Sequence, residues 1–296
     1  MSQDTRPGRV ITRYGAEMIV EDRDGRAHRC TARRKLQDAV CGDHVQWQPS
    51  QTGNAIVVAI ERRHNVLTRP DLRGRPKPIA ANIDQLVVVS AHLPAPNWEM
   101  VDRYLVAAEL LPADALIVLN KSDLADSHPV DRGLLDEYRA LGYQVVEVSS
   151  HREHGLDALH AALKDRTSIL VGLSGVGKSS LIQNLLPEEK IRIGAISDYS
   201  NKGKHTTTSA TLYHLPRGGD LIDSPGVRDF SLGKVTPAEL ASGFRDIAAH
   251  GEHCRFHNCT HSVEPGCAVK AAVESGEISQ RRYRNYRAIL NGLNES

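Results

Sequence analysis

Residues 1–61 place their apolar positions in short runs broken by turns. Gly8–Val20 alternates loosely between apolar and polar, and Asp24–Gly25 is a hairpin signal. Val45–Trp47 and Ala55–Ile60 are further apolar runs, divided by a turn at Pro49–Asn54. No helical period of useful length interrupts them. Some five short strands of this kind predict a small all-β barrel, with Trp47 in its core or wall.

Arg62–Ile79 reads differently. Arg62, Arg63, Arg69, Arg73, Arg75 and Lys77 stand against one acid, Asp71, and Pro70, Gly74, Pro76 and Pro78 break any period. The stretch predicts a basic linker or long loop, either a solvated connector or a phosphate-contacting segment. From Asp84 to about Leu232, strands alternate with helices. Gln85–Ser90, Ala115–Asn120, Tyr143–Ser149, Thr167–Gly172 and Gly219–Asp223 are apolar runs suited to strands covered on both faces. Met100–Leu111, Asp131–Leu141, Leu156–Leu163 and Lys178–Leu186 carry the helical period. The alternation predicts an α/β parallel-sheet domain over 62–232, the basic stretch included. Residues 233–296 read as polar and helical. They include Arg281-Arg-Tyr-Arg-Asn-Tyr-Arg287, which holds four arginines and no acid.

Composition narrows the class. The 296 residues are 40% hydrophobic and 25% charged, which excludes a disordered, coiled-coil or collagen-like chain. Aromatics make up 4%, so the core must be mostly aliphatic. Lys+Arg is 37 and Asp+Glu 36, a net charge of +1, so any nucleic-acid contact must come from local basic patches. No run approaches the roughly 20 apolar residues of a membrane helix, and MSQDTRPGRV has no apolar h-region. A cytoplasmic protein with no membrane partner is expected.

Gly172-Leu-Ser-Gly-Val-Gly-Lys-Ser179 fits the P-loop pattern, and it follows an apolar strand and opens a helical segment, as the motif requires. Its glycines let backbone N–H groups turn onto phosphates, with Leu173, Ser174, Gly175, Val176 and Gly177 forming the cradle. Lys178 neutralises the β/γ-phosphates, Ser179 places a hydroxyl on Mg²⁺, and the helix N-terminus adds positive dipole. Asn120-Lys-Ser-Asp123 follows the strand ALIVL. A carboxylate there accepts both the ring N–H and the exocyclic amine of guanine, so Asp123 selects GTP over ATP. Asn120 bonds the base or braces the P-loop, the Lys121 stem covers the ring face, and Ser122 completes the motif. Asp223-Ser-Pro-Gly226 supplies DxxG, with Asp223 holding Mg²⁺ through water and the Gly226 N–H meeting the γ-phosphate. Ser149 and Ser150 offer backbone N–H groups to the base. Within Ile196–Thr211, Gly203-Lys-His-Thr-Thr-Thr208 offers a switch-loop hydroxyl to Mg²⁺, Thr207 first and Thr208 second.

The order of these motifs is unusual, because NKSD precedes the P-loop. The same sheet results if the old termini were joined and new ones opened elsewhere, a circular permutation. Val227 follows DSPG where a Ras-like enzyme has a water-orienting Gln, and valine cannot hold water. His205 is the candidate to replace it. Near the C-terminus, Cys254-x4-Cys259-x-His261-x5-Cys267 offers three thiolates and an imidazole for one tetrahedral structural Zn²⁺, with His253 and His257 as competing ligands.

An N-terminal β-barrel, NKSD before GLSGVGKSS, GKHTTT, DSPGV and CX4CXHX5C together closely resemble the RsgA (YjeQ) family of small-subunit-dependent, circularly permuted GTPases. The resemblance spans nearly the whole chain. It implies an all-β OB-fold barrel at 1–61, an α/β circularly permuted P-loop GTPase domain at 62–232 and an α-helical zinc-binding domain at 233–296. It implies hydrolysis of GTP to GDP and phosphate, stimulated by the small (30S) ribosomal subunit during late maturation. It places the catalytic histidine on His205 and the zinc ligands on Cys254, Cys259, His261 and Cys267. Nucleotide contacts fall on Asn120–Asp123 and Gly172–Ser180, which adds Ser180. A monomer is expected, with 16S rRNA and no DNA as partner. The barrel lacks an aromatic stacking pair, so RNA contacts are expected through phosphates, from the basic linker and Arg281–Arg287. The competing expectation is a GTP-sensing regulatory module that binds a protein.

Overall fold

The computed structural model describes residues 4–33, 36, 38–50, 53–70, 75–186, 209–224 and 235–294. The chain divides into two compact units. One comprises Met1–Gln85, His160–Leu170 and Ser179–Phe230; the other comprises Leu86–Leu159, Val171–Lys178 and Ser231–Ser296.

In the first unit β1 (Arg6–Tyr14), β2 (Glu17–Glu21), β3 (Ala27–Ala32), β4 (His44–Gln48) and β5 (Ala55–Ile60) form the barrel that the alternation predicts. β1 pairs with β2, β2 with β3, β3 in parallel with β5, and β5 with β4, which returns to β1 and closes the ring. The hairpin turn is set by Asp22, whose carboxylate accepts the N–H groups of Asp24 and Arg26 at 2.9 Å each. Val10, Met18, Val20, Cys30, Val45 and Val57 surround Trp47, which is 1% exposed and so belongs to the core.

The stretch expected as a linker or long loop instead carries an antiparallel ribbon, β6 (Val66–Pro70) and β7 (Pro76–Ala81). Its prolines fit because each strand of a two-stranded ribbon is an edge strand. Arg63 is not free for phosphate. Its guanidinium makes two bonds of 2.7 Å to the carboxylate of Asp43, which is fully buried.

The barrel's sheet continues past the ring. β1 bulges between Val10 and Thr12, and Thr12 then pairs with Thr211 of a further strand, β12 (Thr211–His214). Thr211 in turn faces Asp223 of β13 (Asp220–Asp223), which runs parallel to β11 (Thr167–Val171). β12 is antiparallel to β13, so the sheet is mixed rather than purely parallel. Thr12 donates to the Ala210 carbonyl at 3.0 Å and receives the Thr211 hydroxyl at 3.1 Å. Arg9 bonds Asp220 at 2.5 Å and Thr167 at 2.8 Å, so one barrel arginine holds the first residues of both β11 and β13.

In the second unit β8 (Gln85–Ala91) lies beside β9 (Asp114–Asn120), which pairs in parallel with β10 (Gln144–Glu147). Every residue of β8 is buried, as an apolar run covered on both faces requires. Helix α1 (Trp98–Leu110) is capped by Asn97 and α2 (Arg132–Ala140) by Asp131. α3 (Asp157–Leu163) and α4 (Lys178–Leu185) flank β11 in sequence. Among the described residues from 235 onward lie four helices: α5 (Pro237–Ser242), α6 (Arg245–Gly251), α7 (Ala268–Ser275) and α8 (Gln280–Asn294). Thr236 and Glu239 form a capping box at α5. Leu240, Phe244, Ile247, Val273, Tyr286 and Ile289 pack with Val106 of α1.

An ionic cluster fastens α8 to α1, α2 and α6. Arg282, 1% exposed, bonds Asp102 at 2.6 Å and Asp246 at 2.6 and 2.8 Å. Asp102 also receives Tyr138 and Asn285, and Arg281 bonds Glu137 at 2.7 Å. Arg281 and Arg282 therefore turn inward rather than toward phosphates, because the helical period puts 282, 286 and 289 on the buried face. Arg284 is exposed.

Candidate guanine-nucleotide site and metal centre

The P-loop joins β11 to α4. Gly172, Gly175 and Gly177 all have positive φ, at 145°, 83° and 95°. A Cβ at Gly172 would strike the Val89 carbonyl of β8, and one at Gly177 would strike the Asn120 side chain. Glycine is required at both positions by backbone angle and by close approach. Val176 is buried, whereas Leu173, Ser174 and Gly175 are exposed. Lys178 Nζ donates to the carbonyls of Gly172 and Leu173 at 2.5 and 2.6 Å. Ser179 and Ser180 are exposed in the first turn of α4.

Asn120 ends β9 and is buried. Its amide donates to the Val176 carbonyl at 3.0 Å, so of its two expected roles the structure displays the brace on the P-loop. Lys121 takes the left-handed conformation (φ 60°) and sends Nζ to the Gly175 carbonyl at 2.8 Å and the Leu93 carbonyl at 2.5 Å. A single 3-10 turn, Ser122–Leu124, then presents Asp123. The Asp123 carboxylate receives the Ser149 hydroxyl at 2.5 Å, and this donor holds it below the usual carboxylate range. At neutral pH Asp123 is ionised and accepts only, which is what a guanine edge with two donors needs.

Sequence reasoning missed the Ser149 side chain, expecting only backbone donors from Ser149 and Ser150. The available signal was a hydroxyl at the end of the strand next to the one bearing NKSD. Leu93, the partner of Lys121, gave no signal. Asn120 Oδ1 and Ser150 Oγ are buried without a partner among the described residues. An unpaired buried polar atom costs roughly 1–3 kcal/mol; Asn120 ends the strand that leads to Asp123, and Ser150 follows its partner Ser149. Asp223 closes β13 and is half-buried. His205, Thr207, Thr208, Gly226 and Val227 lie outside the described residues.

Cys254, Cys259, His261 and Cys267 bring four ligand atoms within 4.8 Å of one another. Cys254 Sγ lies 3.9 Å from Cys267 Sγ, and each is 3.5 Å from His261 Nδ1. A tetrahedral zinc separates two thiolates by roughly 3.8 Å and a thiolate from an imidazole nitrogen by roughly 3.6 Å. The donor set and spacing fit that ion, and the four residues could hold a metal. His253 and His257, the competing ligands, are exposed and outside the group. Burial lowers the His261 pKa and keeps the ring neutral, as a ligand must be. Burial raises the Cys254 thiol, but the N–H groups of Val269 and Ala268 at the start of α7 hold it below its ordinary value. Glu264, also missed from sequence, organises the loop. Its carboxylate accepts Thr260 N–H, Thr260 Oγ1 and Ser262 N–H at 2.8, 2.6 and 2.9 Å.

A P-loop braced by the NKSD asparagine, beside an ionised aspartate, defines a guanine-nucleotide-binding GTPase, and the motif order makes it a circularly permuted one. Its sequence matches the profile of the RsgA GTPase family over residues 60–233. The chain belongs to that family, and GTP hydrolysis is its activity. It is 51% identical to the small ribosomal subunit biogenesis GTPase RsgA of Chromohalobacter salexigens, over 97% of this chain and 86% of the relative. The protein of the same name from Pectobacterium carotovorum is 49% identical over 98% and 85%. Among solved structures, YjeQ from Thermotoga maritima matches with a TM-score of 0.77 and 31% identity, covering 99% of this chain and all of that one. YloQ, described as a circularly permuted GTPase, matches with a TM-score of 0.79 and 29% identity over 99% and 96%.

Proposed function

We propose that this GTPase acts in late maturation of the small ribosomal subunit, and that docking on the 30S particle and its 16S rRNA stimulates hydrolysis of GTP to GDP and phosphate. The nucleotide reading is carried by the Ser149–Asp123 contact, which fixes an ionised double acceptor next to the P-loop brace. The partner reading is supported by relatives named for small-subunit biogenesis that match nearly full length.

In this reading Asp123 takes the two donors of guanine, with Lys121, Ser122, Ser149 and Ser150 around the base. Gly172–Gly177 and Lys178 hold the phosphates, and Ser180 supports them. Mg²⁺ would be held by Ser179 and Thr207, with Asp223 through water, and would neutralise phosphate charge. The Gly226 N–H meets the γ-phosphate. Val227 cannot hold water, so His205 orients the attacking molecule. Cys254, Cys259, His261 and Cys267 would hold a structural Zn²⁺. The domains are 1–61, 62–232 and 233–296, in a cytoplasmic monomer.

Single-turnover hydrolysis with and without small subunits tests the reading. Wild type should accelerate on the subunit. His205→Ala should lose most of that acceleration, roughly 10²–10⁴-fold, while keeping nucleotide and subunit affinity. Absence of acceleration in the wild type would favour the regulatory-module alternative.

A further inference from the structure

Within the first unit a cavity of about 570 Å³ opens between the barrel, the β6–β7 ribbon and the paired ends of β12 and β13, where Thr211 faces Asp223. Small-molecule sites fall in this size range, roughly 300–1,000 Å³. Part of the lining is apolar. Val40 and Cys41 come from the segment before β4, Pro78 and Ile79 from β7, and Ala210 from the residue before β12. Val40, Cys41 and Ala210 are buried.

The rest of the lining is cationic. Arg13 of β1, Arg69 of β6 and Lys77 of β7 stand against one carboxylate, Asp38. Asp38 lies 3.7 Å from the Arg63 guanidinium, so its charge is already partly offset. Ser209 and Ser224 add hydroxyl groups.

The fold holds these cations together. The base of the ribbon is fastened to the barrel: Ala81 N–H donates to the Cys41 carbonyl at 2.9 Å and the Asn82 amide to the Gly42 carbonyl at 3.0 Å. A Cβ at Gly42 would strike the Ala81 carbonyl, so only glycine lets the two backbones meet. Arg69 and Lys77 are direct cross-strand partners in the ribbon, and like charges at facing positions repel. Neither has an ion-pair partner among the described residues. Arg13 is fixed by its bonds to the carbonyls of Gly15 and Ala39 at 2.7 and 2.6 Å, and burial lowers its pKa. An anion in the cavity would relieve both the repulsion and the poor solvation of Arg13.

Charge and shape select the anion. A terminal phosphate carries close to two negative charges at neutral pH, matching two facing cations, and its oxygens suit a guanidinium fork. A nucleic-acid backbone phosphate carries one charge. The apolar part of the lining takes an organic body, which inorganic phosphate lacks. We propose that this cavity binds a small phosphate monoester, with the phosphate between Arg69 and Lys77 and the organic body against Val40, Cys41 and Ile79. The site shares no residue with the P-loop and is a second anion site in the chain.

The test uses the full chain saturated with GDP, so that the P-loop is filled, and phenyl phosphate as the probe in isothermal titration calorimetry. One site per chain is expected. Arg69→Gln and Lys77→Gln should each weaken phenyl phosphate by about 10- to 150-fold, the range for one hydrogen bond to a charged group. Lys77→Arg should bind like wild type. Arg62→Gln, at an exposed arginine of the same basic stretch that does not line the cavity, should also bind like wild type. Phenol, which has no charge, and methyl phenyl phosphate, a diester with one charge, should each bind at least about tenfold more weakly. None of the four substitutions lies in a nucleotide motif, so GDP affinity and melting temperature should be unchanged in all of them. Failure of phenyl phosphate to bind the GDP-saturated wild type overturns the proposal. So does wild-type affinity in Arg69→Gln and Lys77→Gln, or an equal loss in Arg62→Gln. Phenol binding as tightly would make the cavity merely apolar, and the diester binding as tightly would assign it to a nucleic-acid backbone; either result overturns the monoester site.

Discussion

Ser149 and Asp123 are 26 residues apart in sequence, and their side chains meet at 2.5 Å. The hydroxyl both aims the carboxylate and keeps it ionised. Removing it in Ser149→Ala should raise the Asp123 pKa toward the usual range. A carboxyl with a depressed pKa stays charged to lower pH, so the variant should lose GDP affinity at a higher pH on acidification than wild type. At neutral pH both are ionised, and the loss of orientation should weaken GDP by about tenfold. Fluorescent GDP titrations across the acid range check this; an unmoved acid limb would remove Ser149 from the site.

Asp123→Asn replaces one acceptor by a donor. The variant should lose GTP by roughly two orders of magnitude or more and gain affinity for xanthosine nucleotides, whose ring presents the complementary pattern. Competition binding with the two triphosphates reads the exchange directly.

The Cys₃His centre should carry one zinc per chain. Cys259→Ser and Cys267→Ser should each abolish it and lower the melting temperature, as a chelator should. His257→Ala should retain it and His261→Ala should not. Elemental analysis decides, and retention in His261→Ala would return His257 as the ligand. Acidification should also release the metal, because thiolates must be deprotonated to bind.

Arg281, Arg282 and Arg284 look alike in sequence and should behave differently. Arg282→Ala strands the buried carboxylates of Asp102 and Asp246 and should cost about 3–5 kcal/mol. Arg281→Glu sets a third carboxylate against Glu137 and Asp102 and should also lower the melting temperature. Arg284→Glu, on the exposed face, should stay within about 0.5 kcal/mol of wild type. Calorimetry of the three variants separates them.

His214 sits between Asp220 at 2.6 Å and Glu21 at 2.8 Å, and these two hydrogen bonds raise its pKa from 6.5 to about 10. A raised pKa means the folded state holds the proton more tightly. The added stability is complete below pH 6.5, declines above it and is gone beyond about 10. The melting-temperature gap between wild type and His214→Gln should therefore close across that window. A gap that is constant with pH would mean the imidazole is merely packed.

The nucleotide motifs were legible because each is local: a P-loop or NKSD needs contiguous residues at a strand end, and chain order alone exposes the permutation. The Cys₃His set was legible with His261 as the ligand and His257 as its rival by spacing, and the approach of His261 Nδ1 to within 3.5 Å of Cys254 and Cys267 favours His261. What stayed hidden depended on distant partners. Arg282 resembles a phosphate ligand until Asp102, 180 residues away, is seen beside it. The β6–β7 ribbon was masked by prolines that a central strand would not tolerate but an edge strand does. Thr211–His214 gives no strand signal in the sequence because four residues carry too little period to mark one, and its pairing with Thr12 lies 199 residues off.

The bulge that carries Thr12 onto Thr211 gives β1 membership of two structures at once. The barrel ends at Ile60 in sequence but not in hydrogen bonding. A truncation that starts beyond it would strip β12 of its neighbour and leave bare backbone donors and acceptors one strand away from Asp223. Such a border recruits strands from other molecules. A shortened chain would keep every nucleotide motif and still come out of the cell as an aggregate.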